Sequence, residues 1–204
     1  MKKIYITALL LIGLFVNTNA QQTYWTLNWD ISKATSDTGD YIGDIGFRGI
    51  SFDGRYFVKP QLTIGGFFGW NANNEKLNNG EPFEFQQDGT TGHISGTQVR
   101  YLNTLPILVT SHYYMDSKKR SFKPYIGLGI GTVYTEQRTD FGLNSFYSDS
   151  WGFGVQPEIG AFIGFNSYSG TGINVAFRYL YGSSAGELDS LSMFSLAIGF
   201  GFMN

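Results

Sequence analysis

The chain has 204 residues, of which 17% are aromatic and only 15% charged, with Gly 27, Cys 0 and a net charge of −2. Globular proteins average ~7% glycine and ~25% charged residues, so this composition points away from a helical bundle. The charge gives no basic field for nucleic acid. The lack of cysteine excludes disulfides, thiolate metal sites and a lipid-anchored N-terminal Cys.

Residues 1–20 read as a cleaved signal peptide. Lys2 and Lys3 form a basic start, Ile4 to Val16 an apolar core, and Thr18-Asn19-Ala20 a small-residue cleavage site. That core is shorter than the ~20 residues a spanning helix needs. No later segment spans as a helix. A membrane form of residues 21–204 must therefore be a closed barrel, which leaves no sheet edge in lipid.

Eight strands follow in order. In the first, about Tyr24 to Ile31, Trp25, Leu27 and Trp29 alternate with Thr26, Asn28 and Asp30. A polar loop is expected over 32–44. In the second strand, Ile45 to Phe57, Ile50, Phe52 and Tyr56 oppose Ser51, Asp53 and Arg55. Arg48 falls on the outer face, at the rim. A tight turn at Val58–Gln61 leads to the third strand, Leu62 to Asn71, and then to the longest expected loop, 72–95. The fourth strand, Gly96 to Met115, sets Tyr101, Leu105, Ile107, Val109 and Tyr113 against Arg100, Thr104, Thr110 and His112. The fifth, Phe122 to Arg138, alternates Ile126, Leu128, Ile130 and Tyr134 with glycines and Thr135, and a loop is expected over 139–150.

The sixth strand, Trp151 to Phe165, has the clearest two-faced pattern. Trp151, Phe153, Val155, Pro157, Ile159, Ala161, Ile163 and Phe165 are apolar. The alternate set, Gly152, Gly154, Gln156, Glu158, Gly160, Phe162 and Gly164, is small or polar with one exception. An apolar face opposite a glycine face suits lipid outside and a cramped interior. A loop at 182–190 separates the seventh strand, Thr171 to Tyr181, from the eighth, Leu191 to Phe202.

Short turns on one side and long loops on the other predict an eight-stranded antiparallel up-and-down transmembrane β-barrel with periplasmic termini. Two aromatic girdles mark the interfaces: Trp70, Tyr101, Tyr134, Trp151 and Tyr181 towards the loops, and Tyr56, Tyr113, Phe165 and Phe202 towards the turns. The predicted partner is the lipid bilayer.

The sequence resembles the small eight-stranded outer-membrane β-barrel proteins, the group with the OmpX-, OmpW- and OmpA-N-terminal-like barrels. The resemblance is carried by Pro124–Gly131, Ile45–Gly49, Gly54–Phe57 and Phe200-Gly201-Phe202, and covers essentially all of 21–204. Met203-Asn204 departs from the aromatic end usual in that group. The resemblance implies an outer-membrane location of the Gram-negative type, and its OmpW-like branch implies transport of small hydrophobic molecules.

Eight strands enclose an interior just wide enough for side chains, so a general diffusion pore is not expected. The candidate inward charges are Asp53, Arg55, Arg100, Glu158 and Arg178, with Glu158 and Arg178 on adjacent strands and able to pair. Buried charges must be paired, so this set reads first as a structural plug. His93 and His112 are far apart, without spaced carboxylates, and predict no metal site. Ser111 and His112 point to opposite faces and form no dyad, so a lipid-modifying enzyme is not expected. No catalytic residue and no cofactor is assigned. Pro106 and Pro157 each remove a ladder hydrogen bond, which predicts local bulges. The favoured function is structural or surface binding through 32–44, 72–95, 139–150 and 182–190. Transport of small hydrophobic molecules is the alternative and would need an apolar opening near Phe162 or Phe67.

Overall fold

The computed structural model describes residues 22–87, 90–117, 121–166, 170–184, 186 and 188–204, with the side chains of 79–87, 94 and 95 outside that description. The signal peptide expected over 1–20 also lies outside the described residues. Eight strands form one closed antiparallel barrel. They are β1 (Thr23–Ala34), β2 (Gly46–Lys59), β3 (Leu62–Gln87), β4 (Thr90–Tyr114), β5 (Phe122–Phe141), β6 (Asn144–Gly164), β7 (Thr171–Gly182) and β8 (Leu191–Met203). A short helix, α1 (Ser36–Tyr41), joins β1 to β2.

The period-two alternation sets inside from outside. On β1, Tyr24, Thr26, Asn28, Asp30 and Ser32 are buried, while Trp25, Leu27 and Trp29 are exposed on the wall. The same rule holds on β6, where Gly154, Gln156, Glu158 and Phe162 face inward. Glycines on the inner face admit the large side chains opposite them. A Cβ on Gly127 would fall within the His112 ring, and one on Gly199 would meet the Leu27 carbonyl.

Three expected loops are corrected. The 72–95 segment is the top of a long β3–β4 hairpin, still paired at Gln87↔Thr90 after register shifts around Gly80. The 139–150 segment is the end of the β5–β6 hairpin, paired to Phe141↔Asn144. It turns through Gly142, whose φ of 58° is open to glycine. The 32–44 segment continues β1 to Ala34 and then forms α1. Above a membrane both faces of a strand are wet, so the two-faced pattern fades while the backbone ladder persists.

Neither proline makes a bulge. Opposite Pro106 the β3–β4 pairing skips Gly69 and Trp70, and resumes in unchanged register from Phe68↔Ile107 to Asn71↔Thr104. Opposite Pro157 the β6–β7 pairing skips two rows in the same way. The ladder opens locally and the neighbouring rows hold the register. A bulge does occur in β2, where Phe47 and Arg48 together oppose Ile31. Both side chains face outward there, and the Trp29 indole donates to the Phe47 carbonyl at 2.7 Å.

Eight of the nine predicted girdle residues stand on strands of the outer wall, and Phe165 lies one residue past β6. Tyr56, Trp70, Tyr113, Trp151, Phe165, Tyr181 and Phe202 are exposed, and Tyr101 and Tyr134 are half-buried. Tyr134 packs on Trp151 with ring centroids 5.3 Å apart.

Candidate functional site: lumen plug, mouth and hairpins

The middle of the lumen holds an ion-pair cluster built from β1, β2, β4, β6 and β7. Glu158 and Arg178 face each other at one register position of β6 and β7. Arg178 Nε donates to Glu158 Oε2 at 2.5 Å, and its Nη1 donates to Asp30 Oδ1 at 3.2 Å and Ser51 Oγ at 2.9 Å. Arg55 Nη2 bridges Asp53 Oδ2 at 2.6 Å and Glu158 Oε1 at 2.8 Å. Its Nη1 reaches the Tyr114 hydroxyl at 3.0 Å, and its guanidinium lies 4.4 Å from the Tyr125 ring centroid. All these charges are buried. Burial removes their hydration, and fixed partners replace it.

Four of the five predicted inward charges, Asp53, Arg55, Glu158 and Arg178, come together here. Arg100 does not. It stands at the mouth, half-buried, and donates to the Tyr41 and Asp40 carbonyls at 2.9 and 3.3 Å. Sequence reasoning placed Asp30 and His112 on inner faces and left both out of the cluster. His112 Nε2 lies 3.3 Å from Glu158 Oε1 and 4.0 Å from Asp53 Oδ2. Their charged partners sit on non-adjacent strands, which only barrel closure brings together. Asp53, His112 and Glu158 offer ligand atoms within 4.8 Å of one another. One guanidinium nitrogen of Arg55 already joins the two carboxylates, in the manner of a bound cation.

Two apolar layers sandwich the cluster. Tyr24, Tyr114, Tyr125, Phe162 and Met203 pack together at the turn end, so the odd aromatic on the inner face of β6 is part of a plug. Above the charges, Ala34, Ile42, Leu102, Val133, Leu180, Leu191 and Met193 form a second layer. Ile42, which follows α1, is fully buried in it.

The helix is tied across the mouth by polar contacts. Thr38 Oγ1 donates to the Ser190 carbonyl at 3.0 Å and accepts from the Ser192 amide at 3.1 Å. The Gly43 amide donates to Glu75 at 2.7 Å, and Tyr41 and Thr139 share a 2.9 Å hydroxyl contact. Burial raises the Tyr41 phenol pKa above its ordinary value.

Beyond the mouth the β3–β4 and β5–β6 hairpins continue, joined through β4 and β5 as far as Val99↔Asp140. A membrane crossing takes ~9–11 tilted residues, whereas β3 has 26 and β6 has 21. The β6–β7 ladder stops at Gly154↔Gly182, with one further backbone bond from the Ser183 amide to the Phe153 carbonyl. Among the described residues, β6 therefore has no strand partner on its outer edge from Tyr147 to Asp149. On the wall, a groove of about 510 Å³ is lined by Trp25, Phe52, Gly54, Gly66, Phe67 and Ile107, among others. It opens where Gly54 and Gly66 pair without side chains.

Residues 6–202 match the family described as outer membrane protein beta-barrel domain. The chain belongs to that family. A barrel of this family lies in the outer membrane of Gram-negative bacteria, so the turn end with both termini is periplasmic and the hairpins are extracellular. Outer membrane protein AlkL of Ectopseudomonas oleovorans is 25% identical over 143 residues, covering 62% of this chain and 56% of that protein. The chain thus matches little more than half the length of that relative. Two solved barrels share the fold. Neisserial surface protein A has a TM-score of 0.58 at 15% identity, over 88% of this chain and 96% of its own. The attachment invasion locus protein Ail of Yersinia pestis, solved with the heparin analogue sucrose octasulfate, has a TM-score of 0.55 at 12% identity. It covers 90% of this chain and 99% of its own.

Proposed function

We propose that this outer-membrane barrel is a surface-binding protein and not a general diffusion pore or an enzyme. The observation that carries the reading is the filled lumen: apolar packing above, ion pairs in the middle and aromatic packing below. With the interior closed, binding falls to the extracellular sheet. Its open β6 edge presents backbone donors and acceptors suited to an extended peptide, which adds to a sheet as one more strand. The charge cluster is then structural, holding the plug together. Residues 1–20 serve as the signal peptide.

Planar-bilayer recording of the purified full chain tests the reading directly. A closed membrane without stable conductance is expected; a persistent ohmic pore would sink it. Transport of small hydrophobic molecules is the second reading, favoured by the wall groove beside Phe67. Uptake of a hydrophobic dye by proteoliposomes, above that of empty liposomes, would select it.

A further inference from the structure

The turn end of the lumen opens into a cavity that neither the plug nor the extracellular hairpins use. Its volume is about 320 Å³, and Phe57, Tyr114, Lys123, Asp116, Gln22 and Gln61 are among its lining residues. Tyr114 is buried, and Phe57 packs on it with ring centroids 5.1 Å apart. Tyr114 also belongs to the aromatic layer beneath the ion pairs and accepts from Arg55. The cavity therefore ends on the plug and opens to the periplasm, where Gln22 and Asp116 are exposed. Two opposite charges line it and turn apart. The β4–β5 ladder ends on inner faces at Tyr114↔Tyr125, so Asp116 and Lys123, two rows beyond, are the next opposed inward positions. No ion pair joins them. Half-buried Lys123 reaches across the mouth, and its Nζ donates to Met203 Sδ on β8 at 2.7 Å. Asp116 leans the other way, and its Oδ2 accepts from Gln61 Nε2, at the β2–β3 turn, at 2.8 Å. The Tyr113 hydroxyl donates to the Gln61 amide oxygen at 3.0 Å and holds that side chain in place. Among the described residues, neither charge has another side-chain partner.

We propose that this cavity is a periplasmic binding site for a zwitterionic peptide of dipeptide size, with its carboxylate on Lys123, its ammonium on Asp116 and an apolar side chain against Phe57 and Tyr114. The two charges choose this class. An anion alone would face Asp116, and a cation alone would face Lys123. A neutral apolar ligand would cover both charges and satisfy neither. A thioether is a weak acceptor, so a carboxylate is the better partner for the Lys123 ammonium, through a charge-assisted bond. Opposed residues of a ladder lie ~5.5 Å apart. The side chains diverge from there, which separates the charges beyond the two heads of a free amino acid. It suits the ends of an extended dipeptide, ~7 Å apart at ~3.3–3.6 Å per residue. A cavity of about 320 Å³ stands at the lower end of the ~300–1,000 Å³ of small-molecule sites, too small for a longer peptide. Of the proposed function, this site requires only the filled lumen, which the conductance measurement tests separately.

The test is calorimetric titration of the purified protein in phosphatidylcholine nanodiscs, which leave the periplasmic mouth open, with L-alanyl-L-phenylalanine as the probe. Saturable one-to-one binding is expected. The N-acetylated dipeptide lacks the ammonium and the dipeptide amide lacks the carboxylate, and each should bind about tenfold more weakly, the scale of one hydrogen bond to a charged group. Free L-phenylalanine should also bind about tenfold more weakly. Lys123→Met should cost the dipeptide that same factor and leave binding of its amide unchanged. Asp116→Asn should cost the dipeptide likewise and leave the N-acetylated form unchanged. Arg48→Gln, at the extracellular rim, should alter nothing. Heat-modifiable gel migration confirms that each variant is folded; if Lys123→Met does not fold, Asp116→Asn at its exposed position is read instead. Absence of saturable binding, equal affinity for either blocked dipeptide or for free L-phenylalanine, or unchanged affinity in the folded variants would each overturn the proposal.

Discussion

Glu158 and Arg178 meet across one rung of the β6–β7 ladder, 20 residues apart in sequence, and Glu158 also accepts from Arg55. One carboxylate thus partners two buried guanidiniums. Glu158→Gln keeps the shape and removes the charge, which leaves the guanidiniums under-neutralised. Breaking a buried pair in this way costs about 3–5 kcal/mol. The expected result is a clearly lower urea midpoint for the barrel in detergent. An unchanged midpoint would show that the pairing does not stabilise the fold.

Gly127 and His112 make a second pair, directly opposite on β5 and β4. A methyl group at 127 would enter the imidazole ring. Gly127→Ala should therefore destabilise the barrel by about 1–3 kcal/mol, the range for overpacking. In the double variant with His112→Ser the penalty should be largely relieved. A double-mutant cycle of unfolding free energies measures that coupling, and strictly additive effects would contradict the steric account.

Arg100 acts at the mouth. Arg100→Ala removes both bonds to the carbonyls that end α1. Hydrogen exchange over Ser36–Tyr41 should accelerate, while exchange in β6 and β7 stays slow. Equal acceleration throughout would place Arg100 in the plug instead.

Gly199 lies tight against the neighbouring strand. A Cβ there meets the Leu27 carbonyl of the neighbouring strand. Gly199→Val should lower the yield of heat-modifiable barrel, whereas Ser195→Ala, two rows higher on the same inner face, should not. Equal yields would mean that the seam can move aside.

Much of this architecture is legible in the chain, and the limits have physical causes. Period-two alternation marks the inner and outer faces of β1, β6 and β8, because lipid and lumen impose opposite demands on neighbouring residues. Adjacent-strand proximity of Glu158 and Arg178 follows from strand order. Contacts such as Arg55 to Glu158, 103 residues apart, depend on curvature and stagger, which no local pattern encodes. The reach of β3–β4 and β5–β6 is hidden for a related reason: where water bathes both faces, the side chains stop reporting a sheet. Arg100 shares the inward parity of the lumen charges, but its strand has already risen to the mouth, where α1 supplies its partners.

The seam between β1 and β8 has a consequence for how the barrel is made. It joins Tyr24 to Met203, and Thr23 and Asn204 exchange backbone bonds of 2.9 and 3.2 Å. These contacts bridge nearly the whole described chain, so their loop-closure entropy is spent before any of them forms. Until the last strand arrives, β1 offers an open ladder in the place where lipid tolerates none. Closure is then the step that commits the protein, and a chain halted in β7 would have no resting place in the bilayer.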